Sequence, residues 1–133
     1  NDHFRKYLLS TVVLLILLKV DITEIPVFKR AEGETITVKC HFSTTARKKY
    51  FCKDECEDDD ILIKTDKNRA QSGRYSISFE NRGRVLSVTI KQLIKSDSGL
   101  YRCGLDIALS IDPYSEFRII VTNGELLLTN MKM

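Results

Sequence analysis

From Glu34 onward apolar and polar residues alternate, with Ile36, Val38, Cys40 and Phe42 on one face of an extended chain and Thr35, Thr37, Lys39 and His41 on the other. A period of two marks a strand with one face buried. The same alternation returns in Tyr75, Ile77 and Phe79, in Leu86, Val88 and Ile90, in Tyr101, Cys103 and Leu105, and in Phe117, Ile119 and Val121. Turn-forming residues separate the runs at Glu32 and Gly33 and at residues 71–73, 81–83 and 96–99. No long stretch carries a helical period, and the sequence holds neither an internal repeat nor a low-complexity segment. Many short strands with regular turns predict an all-β sandwich or barrel.

The two ends depart from this pattern. His3, Arg5 and Lys6 precede an apolar run over residues 7–18 that is broken only by Ser10 and Thr11. A membrane-spanning helix needs roughly 20 apolar residues, so residues 1–20 read as a secretory signal cut near Val20, with a signal anchor as the alternative. Residues 21–123 then make up the folded domain, and 124–133 a tail whose only apolar run is Leu126, Leu127 and Leu128. This places the domain outside the cell, either secreted or as the ectodomain of a membrane-anchored parent receptor.

A length of 133 residues suits one domain with one core. A net charge of +3 against 29% charged residues describes a mixed surface, well short of the basic excess that nucleic acid would require. Catalysis is also disfavoured. His3 and His41 are the two histidines; the first falls in the leader and the second in a strand, so no set of nucleophile, base and orienting group can be assembled. No cofactor is expected. In an oxidising compartment the 4 cysteines are read as disulfides, for which Cys40, Cys52, Cys56 and Cys103 allow three pairings.

The string Asp97-Ser-Gly-Leu-Tyr-Arg-Cys103 decides between sandwich and barrel. It resembles the tyrosine corner of immunoglobulin domains, in which a Tyr two residues before the second core cysteine bonds back to the preceding turn. The resemblance implies a variable-type β-sandwich of two antiparallel sheets, with a Cys40–Cys103 bridge between strands B and F. On the chain-entropy model that closure is worth about 4 kcal/mol.

The string Lys49-Tyr-Phe-Cys52 with nearby Cys56 narrows the match. It resembles the first domain of the polymeric immunoglobulin receptor and the related single-domain, CMRF-like leukocyte receptors, over roughly residues 25–121. In that family the extra pair ties strand C to the C′ side of its hairpin, which implies a Cys52–Cys56 bridge worth about 2 kcal/mol. The rival is a zinc site using Cys52, Cys56 and His41, but it lacks a fourth ligand once the core bridge forms. Phe51 stands where the family has a core Trp, so the core must close around a smaller ring. The comparison further implies a structural ion pair between Arg74 and Asp97.

Function should then sit in the loops at one end of the sandwich. Residues 43–49 correspond to the first binding loop and carry the basic cluster Arg47, Lys48 and Lys49, suited to polymeric immunoglobulin, an anionic lipid headgroup or another acidic surface. Residues 57–60 are an unbroken acidic run without the spacing of a calcium loop, and they read as a solvated turn that tunes selectivity. Residues 105–114 hold Ile107, Leu109 and Ile111 between Asp106 and Asp112; they form either an exposed apolar tip or a continuation of the inward alternation. Asp106 and Asp112 flank this loop, at the end where the resemblance implies that some family relatives use a metal when binding lipid. Strand G lacks the F-G-x-G joining signature of antigen-receptor domains, and no N-x-S/T acceptor occurs. The sequence thus points to the recognition domain of an immune receptor, with a homophilic adhesion module as the alternative.

Overall fold

Each alternating segment is a strand in the computed structural model, which describes residues 25–108 and 111–124. Residues 1–24, which include the expected leader, and the tail beyond Gly124 lie outside the described residues. The strands are β1 (Val27–Ala31), β2 (Ile36–His41), β3 (Lys48–Lys53), β4 (Ile61–Thr65), β5 (Arg69–Ser72), β6 (Tyr75–Glu80), β7 (Val85–Ile90), β8 (Gly99–Asp106) and β9 (Tyr114–Thr122), with short 3-10 turns at Asp58–Asp60 and Lys95–Asp97.

The strands form a five-stranded sheet in the order β1-β9-β8-β3-β4 and a four-stranded sheet in the order β2-β7-β6-β5. Pairing is antiparallel except at one edge, where β1 runs parallel to β9 with Val27 opposite Arg118 and Ala31 opposite Thr122. The two antiparallel sheets expected are thus present, with one parallel pair at an edge. The expected turn at residues 71–73 moves, because Gln71 and Ser72 complete β5 and the reversal falls on Gly73, which takes the left-handed φ of 57°.

The inward faces match the alternation. Ile36, Val38, Cys40, Ile77, Phe79, Leu86, Val88 and Ile90 come from one sheet and Phe51, Tyr101, Cys103, Leu105, Phe117, Ile119 and Val121 from the other, all buried. Cys40 and Cys103 are bridged across the two layers. Phe51, fully buried, takes the core position with ring neighbours on several strands: Tyr101 at 5.4 Å, Phe117 at 6.1 Å and Tyr75 at 6.3 Å between centroids. A cluster of four modest rings fills the space that one large indole would otherwise share.

The Tyr101 hydroxyl donates to the Asp97 carbonyl, fixing the turn that delivers β8. Burial, followed by the nearby Asp97 charge, pushes that phenol far above its ordinary range, so it stays a donor at every physiological pH.

Candidate functional site

β3 separates two differently charged ends of the molecule. Its six residues span about 17 Å from Lys48 to Lys53. Asp54, Glu55, Glu57, Asp58 and Asp59 are exposed past its far end, whereas basic side chains gather before its start.

The basic end is assembled from three turns. The first joins β2 to β3 and carries Arg47, while Lys48 opens β3; both are exposed. The second joins β6 to β7 and carries Arg82 and Arg84, also exposed. It is fastened to the first turn: the Phe42 N–H donates to the Arg84 carbonyl at 3.0 Å, and Arg84 Nη1 donates to the Ser43 carbonyl at 3.0 Å. Arg84 sits at φ 54°, a left-handed value that closes the reversal right after Gly83. The third turn joins β4 to β5 and exposes Lys67.

Lys49 holds that third turn in place, which corrects its assignment to the exposed cluster. Strand parity sends it inward with Phe51, and it is 2% exposed. Its ammonium donates to the Lys67 carbonyl at 3.2 Å and to Asn68 Oδ1 at 3.4 Å, and lies 5.2 Å from the Phe79 ring centre. Burial lowers its pKa and the Asp66 charge partly restores it. A cation so placed organises the end from inside and is closed to a ligand.

Arg47 reaches Asp66 at 3.4 Å, but their side chains are 83% and 46% exposed, so water and salt screen the pair. Among the described residues, Lys48, Lys67, Arg82 and Arg84 have no ion-pair partner, leaving a concentrated positive field.

The loop between β8 and β9 closes the other side. Leu105 is fully buried and its N–H donates to the Pro113 carbonyl, so the inward alternation continues that far. Ile107 is half-buried and packs on the core edge, whereas Ile111 is 93% exposed; Leu109 lies outside the described residues. Asp112 accepts from the Ile107 N–H at 2.9 Å, closing the loop. Asp106 pairs with Lys64 at 2.9 Å, and that hydrogen bond holds its carboxyl below the ordinary range. Both aspartates already have internal partners. Among the described residues no three His, Cys, Asp or Glu side chains converge as a metal site would require. Between the two loops lies a cleft of about 300 Å³, walled by Thr45, Ala46, Arg47 and Lys48 on one side and Asp106, Ile107 and Ala108 on the other.

Two layers, a bridge between them, a tyrosine corner and loops gathered at one end are joined by a match of the immunoglobulin V-set domain to residues 23–122. The chain belongs to the immunoglobulin V-set family.

Relatives of this V-set domain include the polymeric immunoglobulin receptors of Mus musculus, 35% identical over 75 residues, and Rattus norvegicus, 33% identical over the same length. Each match covers 55% of this chain and 9% of the receptor. CMRF35-like molecule 6 of Mus musculus is 32% identical over 89 residues, covering 62% of this chain and 38% of that protein. The chain therefore spans only a small part of these relatives. Among solved structures, NK cell receptor Nkp44, described as a triggering partner in natural cytotoxicity, superposes with a TM-score of 0.66 at 26% identity, over 75% of this chain and all of that one.

The remaining V-set positions make contacts within the fold. Cys52 and Cys56 are bridged, so neither is left as a zinc ligand. Arg74 and Asp97 pair at 2.8 Å beneath the sandwich. Residues 57–60 tighten into the 3-10 turn Asp58–Asp60, with the Asp60 N–H donating to the Glu57 carbonyl at 2.8 Å. Sequence reasoning missed Lys67, Arg82 and Arg84 as members of the basic end. The string Arg82-Gly83-Arg84 was legible as a turn, and its charge as such, but not its attachment to Ser43, 41 residues away in the chain.

Proposed function

We propose that this V-set domain is the ligand-recognition domain of an extracellular immune receptor or of its soluble form, acting by binding alone. The observation that carries this reading is the convergence of Arg47, Lys48, Lys67, Arg82 and Arg84 from three turns at one end, next to the exposed Ile111. A field of that sign favours an anionic partner and accelerates its encounter. Relatives that are named as receptors support a recognition role. His41, the one histidine among the described residues, stands exposed beside the bridged Cys40, which supports binding over catalysis. Two cystines and an apolar leader-like segment support an extracellular address.

An acidic protein surface and the phosphate of an anionic lipid headgroup share the required chemistry, and polymeric immunoglobulin is the protein probe that the related receptors suggest. The test is capture of the protein by immobilised polymeric immunoglobulin and by phosphatidylserine vesicles, each with and without calcium and at low and high salt. Salt-sensitive capture by either probe is expected and identifies the partner class. Capture of neither overturns the reading, and self-association under the same conditions favours homophilic adhesion instead.

A further inference from the structure

The turn after β3 contains a second, smaller device. The bridge between Cys52 and Cys56 closes across only Lys53, Asp54 and Glu55, and two of the residues it spans or joins, Asp54 and Cys56, sit in the left-handed region at φ 58° and 57°. Neither is glycine, so the closed ring holds its backbone in a conformation that an open chain would leave. The two sulfurs differ. Cys52 is fully buried in β3, whereas Cys56 is partly exposed on the turn.

Both cysteines line a recess of about 230 Å³ on the outer face of the five-stranded sheet, together with Tyr50, Glu55, Lys64 and Arg102. Arg102 lies directly opposite Cys52 in the β3–β8 register, which puts the two side chains on one face. Its Nη2 donates to Glu116 at 3.0 Å and its guanidinium stacks on Tyr114 at 4.0 Å. Its Nε is buried and has no hydrogen-bond partner among the described residues. Across the ladder Cys52 Sγ meets the Arg102 carbonyl at 3.6 Å, and the guanidinium, which lines the same recess, acts on that sulfur through its field.

We infer that Cys52–Cys56 is a thiol-exchange site, opened by a thioredoxin-type protein dithiol that attacks Cys56. The reductant's thiolate bonds to Cys56 Sγ; the Cys52–Cys56 bond breaks, and its electron pair leaves on Cys52 Sγ as a thiolate beside Arg102. The reductant's second thiol, after losing its proton, then attacks its own sulfur in the mixed disulfide and releases Cys56 as a thiolate. The domain gains two electrons and, on protonation, two protons, while the dithiol is oxidised to its disulfide. The arginine lowers the proton affinity of the departing sulfur, which makes it the faster leaving group. The carboxylates of Asp54, Glu55, Glu57, Asp58 and Asp59 repel glutathione, itself an anion, and so select a protein dithiol. The core bridge, with Cys103 fully buried and Cys40 nearly so, is out of reach.

The test incubates the full chain with thioredoxin, its reductase and NADPH, or with glutathione, then labels free thiols with an alkylating reagent and reads each cysteine by mass spectrometry. With thioredoxin, Cys52 and Cys56 should label together at least about tenfold faster than Cys40 and Cys103 while the near-ultraviolet circular dichroism stays native. Arg102→Gln should slow the opening about tenfold and Arg102→Lys should restore most of the rate. Asp58→Asn with Asp59→Asn, on an exposed turn that cannot threaten the fold, should speed glutathione alone. Equal labelling of all cysteines, or none at Cys52 and Cys56, overturns the site; an unchanged rate in a folded Arg102→Gln protein overturns the leaving-group role.

Discussion

Arg74 grips Asp97 at two points, Nη1 donating to Oδ2 at 2.8 Å and Nη2 to Oδ1 at 2.9 Å. The same carboxylate accepts the Ile94 N–H at 2.9 Å, and the Asp97 carbonyl accepts the Tyr101 hydroxyl, so one residue joins the base of the sandwich to the tyrosine corner. Burial alone would raise the Asp97 pKa. The bonds from Arg74 and Ile94 and the charges of Arg74 and Lys53 outweigh it, leaving the carboxyl below the ordinary range.

A depressed folded pKa means that the stabilisation is present at pH values above about 4 and is lost as pH falls through the folded value. Asp97→Asn should therefore cost about 2 kcal/mol at neutral pH, less than a fully buried pair because the Arg74 side chain is 30% exposed. Urea denaturation at neutral and acid pH checks both statements: the gap between parent and variant should close in acid.

Replacing Cys40 and Cys103 together by Ala removes the bridge between the two layers, a closure spanning 63 residues. The loss should be about 4 kcal/mol, seen as a large drop in the denaturation midpoint. Opening Cys52–Cys56 in the same way should cost only about 2 kcal/mol, because so short a loop constrains the unfolded chain little.

Restoring the family's tryptophan should harm this protein. Phe51 has no exposed surface, and Tyr75, Tyr101 and Phe117 already occupy the space around it. Phe51→Trp should cost about 1–3 kcal/mol through overpacking and an indole N–H without a partner. Thermal melting decides it; a stabilised variant would show that the ring cluster leaves unfilled space.

At the basic end, Arg82→Ser with Arg84→Ser should weaken capture of the anionic partner and flatten its salt dependence. Lys49→Met should loosen the turn that carries Lys67 and cost about 1 kcal/mol of stability, but leave the salt dependence of capture nearly unchanged, since methionine keeps the packing on Phe79 and loses only the bonds to Lys67 and Asn68. Capture measured against salt, beside a melting curve for each variant, separates the ligand-facing cations from the internal one.

The contrast between those cations shows what the sequence could carry. β2, β6, β7, β8 and β9 were legible because each buries one face and so alternates. β1, β4 and β5 lack that clean alternation: Val27 is exposed in β1, β4 opens on the unbroken apolar run Ile61-Leu62-Ile63 beside a register shift, and β5 is almost wholly polar. Lys49 was read by its charge, although its parity with Phe51 already placed it inside. Arg82 and Arg84 joined the basic end only through a contact between distant turns, which no local pattern records.

The parallel alignment of β1 with β9 has a mechanical consequence. β9 runs from the loop beside the basic end toward Thr122, flanked along its length by β8 and β1. When a captured partner pulls against whatever polypeptide follows Thr122, the load passes along β9 and strains both ladders in shear, many bonds at once, instead of peeling them apart singly.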